Sequence, residues 1–439
     1  MTRTAAEAGW HLSRYNIQTR IPETGKTVIV NLLKGTCLEY SPIELYFMSV
    51  LDQISESHPI INLLAKRGAI CNYDEAAAIE AGSHILTRKT QAVGMVICPT
   101  MACNFDCPYC FENHYAGKMS ASVQDDVISL AERLIDVNAA QTLKVTWFGG
   151  EPLLAPEVIE SLSERLIALA DERGVTYDAG VITNGYLLDQ DMVDRLVRCK
   201  VSAAQITLDG LGANHDSTRH LLGGGPTFER IVRNLRECDI PFCVFVRHNV
   251  HEGNRSEMGE LESFVKQLSE ESGNEMHYFS ARVVDSEAAE ERGRQVQLLC
   301  GTMETEVALE VDSRRFGHGR AAFCGANETG GVAIDHLGNL YQCWEVVGNE
   351  RFSFGTAHEW DPANPLGSAS KLDMLTCYLN AFGVTSDPEC RSCLWLPLCA
   401  GGCPHERLFG SGRQCVPYRD DPEAYARASY AHLQAIGLK

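Results

Sequence analysis

Ten of the eighteen cysteines in this 439-residue chain fall into two spaced arrays, and these arrays constrain the fold more than any other feature. The first, Cys103-Asn-Phe-Asp-Cys107-Pro-Tyr-Cys110, sets three thiols in one short loop. The second runs Cys324, Cys343, Cys390, Cys393, Cys399, Cys403, Cys415. Three close thiolates can hold three irons of a four-iron cluster and leave the fourth open to a ligand, whereas four thiolates close a cluster that then mainly carries electrons. The upstream triplet therefore reads as a reactive cluster and the downstream seven as ligands for two more. Zinc is the competing reading of the triplet; it needs a fourth ligand nearby, and His114 is the local candidate.

Eighteen cysteines would suggest disulfides in a small secreted domain, but the chain is long enough for two or three domains and its first 25 residues hold no apolar run. No stretch approaches the roughly eighteen apolar residues of a membrane span. The expectation is a cytoplasmic protein without a membrane partner, its thiols committed to metal. A net charge of −20 argues against nucleic acid and is compatible with a basic peptide, though a solvated acidic surface is the simpler and preferred account.

Residues 10–33 read as a β-hairpin, Tyr15–Thr19 and Val28–Leu32 about a turn at Pro22–Gly25, and helices follow from Ser41-Pro42 and over Ile60–Lys66. From residue 91 strands and helices alternate: strands over Gln91–Cys98, Leu143–Phe148, Val175–Ile182, Val201–Leu208, Phe242–Val246 and Met276–Val283, with a helix over Ser122–Asp136. Six such units predict a partial parallel (β/α)6 barrel with its polar motifs at the carboxyl ends of the strands, where chemistry gathers in such sheets. Domains are expected at 1–90, 91–290 and 291–439. Cys37, Cys71, Cys98, Cys199, Cys238, Cys243 and Cys300 lie mostly in apolar patterns and read as inert buried thiols.

The triplet's spacing, with Tyr109 just before its last cysteine, resembles the motif of the radical S-adenosylmethionine (radical SAM) enzymes. The downstream array resembles the SPASM extension of peptide-modifying members. The likeness covers about residues 90–420 and implies S-adenosylmethionine and three 4Fe-4S clusters. Gly149-Gly150-Glu151-Pro152 matches the family's second motif: the glycines admit the methionine end of the cofactor, and Glu151 accepts from its ammonium group. Asn184 of Thr183-Asn184-Gly185 is a further implied contact, as are Thr207, Asp209 and Arg219, although an Asp209–Arg219 structural pair would look the same. By family pattern Cys324, Cys343 and Cys403 hold one auxiliary cluster, and Cys390, Cys393, Cys399 and Cys415 the other. The first lacks a fourth ligand, for which His318, Cys377 and a substrate thiolate are candidates.

Hairpin plus helices at 1–90 resembles a winged-helix module that grips the leader of a precursor peptide by strand addition; a structural cap on the barrel is the alternative. Sulfatase-maturing relatives carry an aspartate where this chain has Trp344, and tryptophan cannot accept a proton. The resemblance thus implies a maturase that cross-links a ribosomally made precursor peptide, most plausibly by a thioether. Carbon–carbon cross-linking is the close alternative, and sulfatase-type oxidation is disfavoured. Reducing equivalents would come from a donor such as flavodoxin or ferredoxin. No residue is singled out as a catalytic acid or base.

Overall fold

The computed structural model describes residues 3–88, 91–283, 286, 289–290, 296–314, 324–327, 330–380, 385, 387–410 and 412–437. Contacts divide the chain into two compact units, and the division is not the contiguous one expected. One unit comprises Met1–Thr87, Cys300–Cys324 and Ala381–Lys439; the other comprises Arg88–Leu299 and Gly325–Asn380.

In the first unit, β1 (His11–Leu12) pairs antiparallel with β5 (Ile70–Cys71), and β2 (Asn16–Arg20), β3 (Thr27–Asn31) and β4 (Thr36–Tyr40) form an antiparallel meander. The predicted hairpin is β2–β3; β4 extends it. Successive side chains of β3 point to opposite faces, so both faces of the meander are covered. Val28 and Val30 join Tyr15 and Ile17 in a core with Trp395, Leu396, Tyr418, Tyr425 and Tyr430 from the C-terminal segment. Ile29 faces the other way, onto Met48, Leu51, Ile61 and Leu64 of the helices Pro42–Ser49 and Pro59–Lys66. Ser41 and Glu44 cap the first of these helices reciprocally, the physical basis of the predicted start. In the C-terminal segment Trp395 meets Tyr418 and Tyr425 edge-on, with ring centroids 5.0 and 5.4 Å apart. Its indole N–H donates to the Arg419 carbonyl. The expected boundary between an N-terminal module and a C-terminal cysteine domain thus runs through a shared core.

The second unit is built on one nine-stranded sheet. β6 (Ala92–Ile97), β7 (Thr142–Trp147), β8 (Thr176–Thr183), β9 (Val201–Thr207), β10 (Cys243–Val250) and β11 (Met276–Arg282) are parallel neighbours in sequence order, as six β/α units require. β12 (Gly331–Ile334) adds parallel to β6, and β13 (Asn339–Tyr341) and β14 (Gly355–Thr356) follow antiparallel. The sheet therefore remains open, and its β6 side is extended by strands expected to belong to a separate domain. Helix Ala121–Asn138 buries Val127, Leu130 and Leu134, on the stripe that predicted it. No helix among the described residues is long and apolar enough to cross a membrane.

Candidate active site

Every parallel strand of the second unit delivers polar or ligating residues to the same end of the sheet. β6 runs into the loop bearing Cys103, Cys107 and Cys110; β7 ends at Gly149-Gly150, β8 at Thr183-Asn184, and β9 at Thr207. Arg247 and Asn249 of β10, Arg282 of β11, and Trp344 with Glu345 after β13 complete the wall of one cavity of about 280 Å³. This approaches the roughly 300 Å³ at which small-molecule sites begin. Of the residues named from sequence, Cys103, Cys107, Cys110, Tyr109, Gly149, Gly150, Asn184, Thr207 and Arg219 line the cavity.

Glu151 and Asp209 stand behind that wall, and each is fully buried. Glu151 Oε1 accepts from Leu153 N–H (2.9 Å) and the Thr183 hydroxyl (2.7 Å), and Oε2 from Asn184 N–H (2.8 Å). Its carboxylate is engaged by protein donors and locks the β7 loop to the end of β8. Burial raises its pKa, with those three donors pulling it back. The glycines before it also serve the scaffold. A Cβ on Gly149 would collide with the Thr100 carbonyl oxygen, and one on Gly150 would lie 2.5 Å from that of Ala102. The Glu151 N–H donates to the same Ala102 carbonyl at 2.9 Å. The close approach that needs glycine here is to the cysteine loop itself.

Other contacts pin the same loop. The Asn184 side chain donates to Asn104 Oδ1 (2.8 Å), the Leu222 N–H to the Asn104 carbonyl (2.9 Å), and the Asp106 N–H to the His220 carbonyl (3.0 Å). Tyr109 sits at a buried junction. Its hydroxyl donates to Asp209 and accepts from Arg219 Nη1 (3.0 Å) and Asn249 Nδ2 (3.3 Å). Asp209 also accepts from the Thr218 hydroxyl (3.3 Å) and Asn249 N–H (3.2 Å). Tyr109 therefore mediates between Asp209 and Arg219. His215 Nδ1 accepts from Asp209 N–H (3.2 Å), so the ring proton is on Nε2, 3.1 Å from the Thr227 hydroxyl. Burial, with Arg219 nearby, holds this histidine neutral, well below its usual range.

The donor set of the cysteine loop, three thiols in one loop beside the cavity, fits an iron–sulfur cluster. Burial pushes the Cys103 and Cys107 thiols well up, with the Arg219 guanidinium pulling Cys107 back. Thiolates so placed are stabilised by a bound cation far more than by water.

In the first unit, Cys390, Cys393, Cys399 and Cys415 line one small pocket together with Arg413 and Arg419. Arg407 and Arg419 reach the Cys390 and Cys415 sulfurs at 3.6 and 3.7 Å. Of the other expected set, Cys343 is buried just after β13, Cys324 is exposed, and Cys403 precedes the helix Pro404–Phe409. Cys377 lies in the helix Leu372–Asn380, its thiol directed to the Met374 carbonyl; His318 lies outside the described residues. Of the thiols expected to be buried, Cys71, Cys98 and Cys199 are, while Cys37, Cys238 and Cys243 are partly buried and Cys300 is exposed. Sequence reasoning did not assign Arg247, Asn249, Arg282 or Glu345 to the site. Their position at or after strand ends was the available signal.

Residues 97–265 match the Radical SAM superfamily. Fe-coproporphyrin III synthase of Methanosarcina barkeri is 28% identical over 147 residues, 32% of either chain. PqqA peptide cyclase of Granulibacter bethesdensis is 22% identical over 323 residues, 71% of this chain and 82% of that one. The chain spans less than half the length of the first curated relatives it matches. Among solved structures, native anSMEcpe with bound AdoMet and Kp18Cys peptide superposes with a TM-score of 0.57 at 19% identity, over 79% of this chain and 99% of that one. This is a likeness of fold. Since the matched segment carries both the cysteine loop and the Gly-Gly loop that braces it, the chain contains a radical SAM domain.

Proposed function

We propose that this protein is a maturase that modifies a ribosomally made precursor peptide by radical chemistry, installing a cross-link and most specifically a thioether. The observation that carries the reading is the interlock of the cysteine triplet with Gly149-Gly150 around a cavity at the strand ends. Cys103, Cys107 and Cys110 would hold a cluster there, and S-adenosylmethionine bound beside it would supply radical hydrogen-abstraction chemistry. The chain's own residues position and exclude water. Asn184, Thr207 and Arg219 offer polar groups to the cofactor, and Phe148 and Trp344, with ring centroids 5.9 Å apart, supply apolar wall. A peptide substrate is supported by the length of the match to PqqA peptide cyclase, which extends well beyond the radical SAM segment, and by the fold shared with peptide-bound anSMEcpe. The Cys390, Cys393, Cys399 and Cys415 pocket would hold a closed auxiliary cluster. Electrons would come from a flavodoxin- or ferredoxin-like donor, and the outer strands of the β2–β4 meander would take the precursor's leader.

The test is to incubate the reconstituted, reduced protein with S-adenosylmethionine and each short cysteine-containing peptide that its neighbouring reading frames prove to encode. A peptide product lighter by two hydrogens, with no free thiol at one cysteine, is expected. One observation gives weight to a second reading: Glu345 places a carboxylate in the cavity wall next to Trp344. Formylglycine on a Cys-x-Pro-x-Arg peptide, abolished by Glu345→Gln, would overturn cross-linking in favour of oxidation.

A further inference from the structure

Outside the cavity, the N-terminal strands carry a separate set of ligating side chains. In the β1–β5 pair His11 stands directly opposite Cys71, and the helix Glu75–Arg88 opens with Glu75 beside them. Ligand atoms of His11, Cys71 and Glu75 all lie within 4.8 Å of one another, and His11 Nε2 is 3.3 Å from Cys71 Sγ. The side chains are held in this arrangement by their neighbours. His11 Nδ1 is 2.9 Å from the Gly9 carbonyl, which can only accept, so Nδ1 bears the proton and Nε2 offers its lone pair toward the sulfur. Glu75 Oε1 accepts from the Ser13 hydroxyl (2.6 Å) and Oε2 from the Arg14 N–H (2.9 Å). These two donors orient the carboxylate, and the Cys71 thiol, which is also hydrogen-bonded to Glu75, frees a lone pair there when its proton leaves. Such outer contacts fix metal-binding histidines and carboxylates. Cys71 and Glu75 are buried at 4% exposure each, and His11 is exposed at the rim, which gives an ion a route in.

We propose that His11, Cys71 and Glu75 bind one divalent ion of the zinc class, at a site independent of the iron–sulfur clusters. A thiolate, an imidazole and a carboxylate form a borderline-soft set that suits zinc and not magnesium or calcium, which take oxygen ligands. With Zn–S about 2.3 Å and Zn–N about 2.0 Å, a tetrahedral site has a sulfur-to-nitrogen edge of about 3.5 Å. The 3.3 Å separation here is close to it. On binding, the Cys71 thiol releases its proton to solvent and the sulfur coordinates as thiolate; no oxidant or reductant is needed. A water on the open side completes four ligands. The ion clips β1, β5 and the start of the following helix together, and so stabilises the module that carries the β2–β4 meander. The comparable group of Cys243, Glu275 and His277 lacks this preparation: His277 Nε2 is already paired with Glu275 at 2.9 Å, and both residues are exposed.

The experiment uses full-length, cluster-loaded protein, equilibrated anaerobically with micromolar zinc, freed of loose metal and analysed for zinc and iron by mass spectrometry. About one zinc per chain beside an undiminished iron content is expected, and His11→Ala and Cys71→Ser should each lose the zinc and keep the iron. Zinc should raise the melting temperature of the unsubstituted protein and not that of His11→Ala. Cobalt in place of zinc should give a thiolate charge-transfer band that Cys71→Ser abolishes. Equal zinc in the unsubstituted protein and His11→Ala overturns the proposal, as does no retained zinc, or zinc that rises only as iron falls. Because His11 is exposed, His11→Ala decides the matter even if Cys71→Ser fails to fold.

Discussion

Gly150 has no room for a side chain, because the carbonyl oxygens of Met101 and Ala102 would lie 2.6 and 2.5 Å from its Cβ. Gly150→Ala must therefore displace the loop that bears Cys103. Misplacement by about 1 Å costs on the order of 100-fold in rate, so 5′-deoxyadenosine formation should fall roughly 100-fold. Gly94→Ala, on β6 with nothing within 4 Å of the new methyl, should stay near normal; equal rates for the two variants would refute the bracing role of Gly150. The buried histidines make a second residue-scale prediction. Burial lowers His248 to about 4 and His215 well below its ordinary value, so both stay neutral in the folded state. The unfolded chain takes up these protons below about pH 6.5, so the stability they contribute is present above that pH and lost as pH falls toward 4. Urea midpoints of cluster-free protein should drop between pH 7 and pH 4.5, and His248→Gln should drop less. Parallel curves for the two proteins would remove His248 from the account.

The strands of the parallel sheet were legible because each is an apolar run that stops at a polar motif, and that same stop marks the cavity. β12, β13 and β14 were not. They have four, three and two residues, too few for alternation to register, and the pairing of β12 with β6 that anchors them is a contact between distant parts of the chain. Cys103, Cys107 and Cys110 were legible by spacing. The duties of Glu151 and Asp209 were not, since a motif names a residue type without saying which of its neighbours it bonds. At this scale the β2–β4 meander makes the leader hypothesis testable: both its faces are covered, so an outer strand, β2 or β4, is what it can offer. Hydrogen exchange with and without precursor peptide should show slowing at amides of 16–20 or 36–40. Slowing confined to the second unit would sink the leader role.

Across the whole molecule, ten motif cysteines imply three four-iron clusters and about twelve irons per chain after anaerobic reconstitution. Replacing Cys103, Cys107 and Cys110 together should remove about four irons and all S-adenosylmethionine cleavage. Cys399→Ala should instead lower iron by about four while uncoupled cleavage persists, because Cys399 lies in the pocket of the other unit. Full iron content in Cys399→Ala would dissociate that pocket from cluster binding. The same partition warns against a simple truncation. Removing residues 1–80 would uncover Trp395, Tyr418 and Tyr425, whose partners include Tyr15, Ile17, Val28 and Val30, so the truncated chain should aggregate.

The shared core also sets a timetable for biosynthesis. The strands at 16–40 leave the ribosome well before Trp395, Tyr418 and Tyr425, the aromatic residues that cover one of their faces. At about 5–20 residues per second, the meander waits on the order of half a minute with that face bare, while most of the intervening chain emerges and can begin to fold around Cys103, Cys107 and Cys110. A nascent chain arrested before residue 395 should accordingly recruit chaperones to its N-terminal strands. Synthesis of the helix Pro422–Ala435 should release them, so folding of the second unit around Cys103, Cys107 and Cys110 can precede the closing of the first.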